Sequence, residues 1–175
     1  MTNTKPKTKP NPPVLNIDDV PMIEFGNGEK FAAKLGRLGP ALGAKNLGCM
    51  LTIVPPGKCA FPFHAHLLDD EMMFILDGSG EYRFGDATYP VKAGDMLGAP
   101  PGGAEVAHQL INTGKTDLKY LAFSTNGSTS VVVYPDSDKF LVGADIPQGG
   151  SSRDAKFHHL GKIGVGAADY FDGEE

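Results

Sequence analysis

Several features that carry common functions are scarce in this sequence. Two cysteines in 175 residues, Cys49 and Cys59, are too few to staple a secreted scaffold and lack the paired spacing of a structural zinc site. They read as reduced thiols. No apolar run approaches the roughly 18 residues of a membrane span, and residues 1–13 have no apolar core of the kind a secretory signal needs. Positive charge is also short: 16 Lys and Arg against 21 Asp and Glu give a formal net charge of −5, which repels a phosphate backbone. Long Ala/Leu/Glu/Lys stretches are missing, which argues against a helical bundle or coiled coil. The expectation is a soluble, cytoplasmic protein that binds neither nucleic acid nor a membrane.

What is present is punctuation. Gly (23) and Pro (14) make up about a fifth of the chain while 41% of it is apolar, the profile of a turn-rich, mostly β fold. The length suits one domain. Residues 1–13 carry Lys5, Lys7, Lys9 and four prolines, so they predict a disordered arm ahead of a single domain over 14–175. Phe31, Ala33 and Leu35 alternate like a strand, although residues 31–38 also allow a short helix stopped by Gly39-Pro40. Period-two patterning then predicts strands over 47–54, 71–76, 81–84, 88–91, 95–99, 107–112, 118–124 and 129–134, separated by turn clusters. Short antiparallel strands of this kind bury their edges in a sandwich or jelly-roll barrel. Residues 143–175 are weakly patterned and predict an irregular tail.

The sharpest chemical feature is His64-Ala65-His66 followed by Glu71. Residues two apart share a face on a strand but not on a helix, so both imidazoles can converge on one ion if this segment is extended. Imidazole and carboxylate suit zinc, iron, manganese or nickel, and His108 stands at the head of a later predicted strand. Three histidines and a glutamate at this spacing point to one divalent metal ion held by His64, His66, Glu71 and His108. If Glu71 does not ligate, it is a carboxylate beside the metal and a candidate general base. Asp69 and Asp70 read as a solvated acidic run. His158 and His159 read as surface residues, Gly78-Ser79-Gly80 as a hairpin turn, and Met73 and Ile75 as neighbours of Glu71 on one face.

Together these residues resemble the cupins, small β-barrel proteins that hold a metal inside a jelly roll. Gly57, His64, His66, Glu71 and Gly78 follow the first cupin motif, with six, four and six residues in the gaps around the His-x-His pair and Glu71. Gly94, Pro100, Gly102, His108 and Asn112 follow the second, with five residues between Gly102 and His108 where two are usual, a three-residue loop extension. The resemblance covers about residues 45–125 and implies a double-stranded β-helix with a metal site. Tyr134-Pro135-Asp136-Ser137 and the end from Asp169 to Glu174 are also similar to small bacterial single-domain cupins, some of them labelled sugar-phosphate isomerases. The resemblance further implies a homodimer, for which residues 14–48 are the candidate contact.

Three neutral imidazoles and one carboxylate around a divalent ion leave a local charge near +1, which favours a small anionic or carbonyl-containing ligand. The expected activity is metal-dependent chemistry on a small oxygenated substrate, such as sugar or sugar-phosphate isomerisation. Iron-dependent dioxygenation, non-catalytic capture of a small metabolite and a purely structural metal are the alternatives. Ligand types do not separate them.

Overall fold

The structure is a computed structural model that describes residues 11–174. The arm expected over 1–13 lies outside the described residues except at its end, where the Asn11 side chain donates to the carbonyls of Pro40 and Ala41 at 2.7 and 3.1 Å.

The chain runs through β1 (Ile23–Asn27), β2 (Phe31–Arg37), a single helical turn α1 (Leu38–Ala41), β3 (Leu47–Val54), β4 (Ala65–His66), β5 (Glu71–Asp77), β6 (Ser79–Phe84) and β7 (Ala87–Lys92). It continues through β8 (Met96–Ala99), β9 (His108–Ile111), β10 (Leu118–Thr125), β11 (Thr129–Tyr134), β12 (Lys139–Ala144) and β13 (Phe157–Lys162). A six-stranded sheet has the order β1-β2-β3-β10-β5-β8, a four-stranded sheet β13-β12-β11-β4, and a three-stranded sheet β7-β6-β9. All named pairings are antiparallel.

Alternation decides what each sheet buries. Leu35, Val54, Ile75, Leu97, Leu118 and Tyr120 of the six-stranded sheet meet Tyr82, Val91 and Leu110 of the three-stranded one in the main core. Val54, Ile75 and Leu118 are wholly buried, each worth roughly 1.5–3 kcal/mol relative to exposure. Leu51, Leu76 and Leu121 point to the other face, where Val20 and Leu38 cover them with Leu15 and Ile17 alongside. Apolar residues of the 14–48 stretch that the sequence offered for a partner copy are thus partly used within the chain.

Two motif glycines have backbone reasons. Gly78 turns β5 into β6 at φ +84°, and a Cβ there would strike the Asp117 carbonyl oxygen; Gly94 takes φ +94°, a region costly for side-chain-bearing residues.

The structure corrects three expectations. Residues 31–37 form the strand that their alternation predicts and not the alternative short helix, and Gly39-Pro40 lies inside the helical turn that follows rather than stopping one, because a proline in the first turn forfeits no intrahelical hydrogen bond. The stretch expected to be irregular from residue 143 contains β13, which pairs with β12 along its whole length. Nearly every residue of β13 is exposed, so its backbone pairing leaves no alternating signature. Within residues 143–174, irregular chain is confined to the connection before β13, which includes a short 3-10 turn, and to residues 163–174. β1, β4 and β12 add to the eight strands read from the sequence. Among the described residues, no helix is long and apolar enough to cross a membrane.

Candidate metal centre

Four segments deliver the four predicted ligands to one place. His64 and His108 exchange both backbone hydrogen bonds, His64 N to the His108 carbonyl at 3.1 Å and the reverse at 2.7 Å. Residues paired this way share a face, and their rings lie 4.6 Å apart between centroids. His66 is two residues on, in β4, and pairs with Val132 of β11. Glu71 opens β5 between Ser124 and Ala99. The longer second-motif loop is taken up by a 3-10 turn over Ala104–Val106, while Gly102 N is anchored on the His66 carbonyl at 2.9 Å. The extension therefore leaves His108 in place.

The geometry centres on one oxygen. Glu71 Oε2 lies 3.0 Å from His108 Nε2, 3.5 Å from His66 Nε2 and 3.9 Å from His64 Nε2, yet it is buried without a hydrogen bond of acceptable geometry. His64 Nδ1 lies 2.8 Å from the Pro62 carbonyl, which can only accept, so Nδ1 donates and Nε2 turns its lone pair toward Glu71. A lone pair and a carboxylate oxygen facing each other in a buried site repel unless a cation stands between them. Ligand atoms of His64, His66 and Glu71 fall within 4.8 Å of one another, and His108 joins them through the same oxygen. The donor set fits a divalent transition ion.

Electrostatics agree with that arrangement. Burial, reinforced by the other two imidazoles, pushes His64 down to about 4 against the pull of Glu71, so it is a neutral donor. Burial alone would raise Glu71, but the three histidines outweigh it and hold the carboxyl at about 2.

Asp69 is the residue that sequence reasoning misread. Instead of a solvated acid it is 8% exposed. Its carboxylate accepts from Ser130 Oγ at 3.0 Å and Thr125 Oγ1 at 3.3 Å, and its Oδ2 stands 3.7 Å from His66 Nδ1. Burial works against its charge, but His66, Ser130 and Thr125 prevail and hold the carboxyl below the usual range. A carboxylate behind the far nitrogen of a ligating histidine fixes the ring and raises its basicity. Asp70, by contrast, is exposed as expected. The signal that could have separated them is the placement of Thr125 and Ser130, which only the fold supplies.

Two cavities meet the centre. A small one of about 20 Å³ lies inside the barrel against His64, Glu71, His108, Met73 and Tyr120; of the two residues expected to wall it, Met73 does and Ile75 does not, and both are buried in the main core. A larger one of about 250 Å³ includes His66, Asp69 and Glu71 in its wall. His158 and His159 lie exposed on β13, apart from both.

Residues 50–124 match the profile of the cupin domain. Over that stretch the chain is similar to cupin domains. The fold agrees: a Silicibacter pomeroyi structure described as a sugar phosphate isomerase from a cupin superfamily superposes with a TM-score of 0.73 over 90% of this chain and 98% of its own, at 20% identity. An Acidithiobacillus ferrooxidans structure, named for a proposed sugar phosphate isomerase activity, gives a TM-score of 0.65 at 26% identity over 78% of this chain and 80% of its own. A Thermotoga maritima protein named an oxalate-binding protein is 36% identical over 69 residues, which are 39% of this chain and 54% of that protein. The matched stretch thus spans about half the length of the curated relatives.

Proposed function

We propose that this domain holds one divalent transition ion on His64, His66, Glu71 and His108 and acts on a small oxygenated anion, with sugar-phosphate isomerisation as the reaction. The observation that carries it is the convergence of three imidazole Nε2 atoms on a buried, unbonded carboxylate oxygen. When bound, a divalent ion supplies Lewis acidity toward a substrate carbonyl or hydroxyl. The chain's own part is to present His64 in one tautomer through Pro62, to brace His66 with Asp69, and to admit one small molecule beside them. Glu71 Oε2 faces the Nε2 atoms of all three imidazoles, which favours ligation over a general-base role.

Isomerisation is put first because the Acidithiobacillus ferrooxidans neighbour carries that name at 26% identity. The name of the Thermotoga maritima relative favours a second reading, capture of a small dicarboxylate without chemistry. The test is to incubate the metal-loaded protein with a panel of aldose phosphates in deuterated water and follow carbon NMR. Aldose–ketose interconversion with deuterium incorporation, absent in His64→Ala, is the expected result. Binding without conversion would transfer the assignment to the capture reading, and substrate-dependent oxygen consumption would transfer it to a dioxygenase.

A further inference from the structure

The larger cavity has a charged wall that the metal ligands do not explain. Arg37 ends β2, and the strand register carries it across the sheet to the site: Arg37 pairs with Met50 of β3, Met50 with Ala122 of β10, and Ala122 with Met73 of β5. Directly paired residues point to the same face of a sheet, so Arg37 shares a face with Met73 and with Glu71, two residues back along β5. Three inter-strand steps place the β2 and β5 backbones roughly 14 Å apart along this row. The floor between them is small. Gly48 opposes Ser124, Ser124 opposes Glu71, and Ala122 lies in the adjacent row. A Cβ on Gly48 would collide with the Ser124 hydroxyl, so the floor cannot rise there without displacing that side chain. Small residues flanked by an arginine on one side and the metal ligands on the other leave the space of about 250 Å³.

Charge gives this space a polarity. Among the described residues that line the cavity, Arg37 is the one Lys or Arg. Lys34, Arg83, Lys119 and Lys156 each have a carboxylate partner. Arg37 has a single hydrogen bond among the described residues, from Nη2 to the Gly149 carbonyl at 3.1 Å. Asp154, whose charge Arg37 influences, accepts from Ser151 N and Oγ through Oδ2 at 2.8 Å each and forms no ion pair with Arg37 among the described residues. Most of the guanidinium donors are therefore free, in a fork that matches the oxygens of a carboxylate or phosphate. Asp69 and Glu71 would repel an anion, so the chain's own attraction for one lies at Arg37.

We propose that Arg37 is a specificity-determining residue that binds the anionic end of the substrate, carboxylate or phosphate, while the oxygenated end faces His66 and Glu71. The second half of that pose rests on the metal-centre reading; the first half does not. The full chain, its metal content measured in every sample, is titrated calorimetrically with ribose 5-phosphate, malonate and ribose. In the wild type the two anions bind at least about tenfold more tightly than ribose, the usual scale of a charge-assisted contact. Arg37→Gln binds both anions about tenfold more weakly than the wild type and leaves ribose binding and metal content unchanged, and Arg37→Lys recovers part of the loss. The exposed side chain makes one bond, so both variants should melt as the wild type does. Anion binding in Arg37→Gln equal to the wild type, or no preference for anions in the wild type, overturns the assignment. A wild type that holds no metal yet discriminates through Arg37 instead overturns the metal reading and leaves Arg37 standing.

Discussion

Replacing Asp69 by Asn tests whether the buried carboxylate works through His66. The substitution keeps the volume and one accepting oxygen, so a hydroxyl of Ser130 or Thr125 retains a partner. What disappears is the negative charge 3.7 Å behind His66 Nδ1. Loss of such a partner costs about 10–100-fold in metal affinity. At 3.7 Å the contact is longer than a hydrogen bond, which places the expectation near the lower end, about tenfold or 1.4 kcal/mol. The assay is competition between protein and a chromophoric chelator for zinc at fixed pH, with melting of the metal-free protein as a check on folding. An affinity within about twofold of wild type, in a variant that melts normally, would show that Asp69 does not act through His66.

Other substitutions separate roles within and around the site. Glu71→Gln removes the carboxylate charge: as a ligand, Glu71 should take most of the bound metal with it, whereas as a general base it should leave metal content intact and abolish turnover. Asn112 is wholly buried, donates to the carbonyls of Val54 and Thr116 at 2.7 and 2.8 Å, and accepts from Gly114 N at 2.9 Å. Asn112→Ala should therefore cost about 3 kcal/mol in urea unfolding, three bonds at about 1 kcal/mol each. A loss under about 1 kcal/mol would mean that water or relaxation replaces those bonds. His158→Ala, on the exposed β13 edge, should leave metal content unchanged by elemental analysis.

The convergence of the candidate ligands was legible because their spacing is local: His64 and His66 lie two residues apart in an extended segment, and Glu71 heads the next strand. His108 needed the second motif, since its approach depends on β9 pairing across β6 and on the bridge to His64. Asp69 and Arg37 were not legible for a common reason. Each acquires its role from strands remote in sequence, Asp69 from the ends of β10 and β11, Arg37 from a register that crosses three strands. Of the fold, strands with one buried face were readable by alternation. β13, held by backbone pairing and exposed along nearly its whole length, carried no such signal.

Elemental analysis of untagged protein, purified without chelator, beside a His64→Ala, His66→Ala double variant, tests the central claim most directly. The account predicts about one equivalent of zinc, iron, manganese or nickel in the wild type and almost none in the double variant, with the barrel still folded. No bound metal in the wild type after reconstitution, or full retention in the double variant, would contradict it.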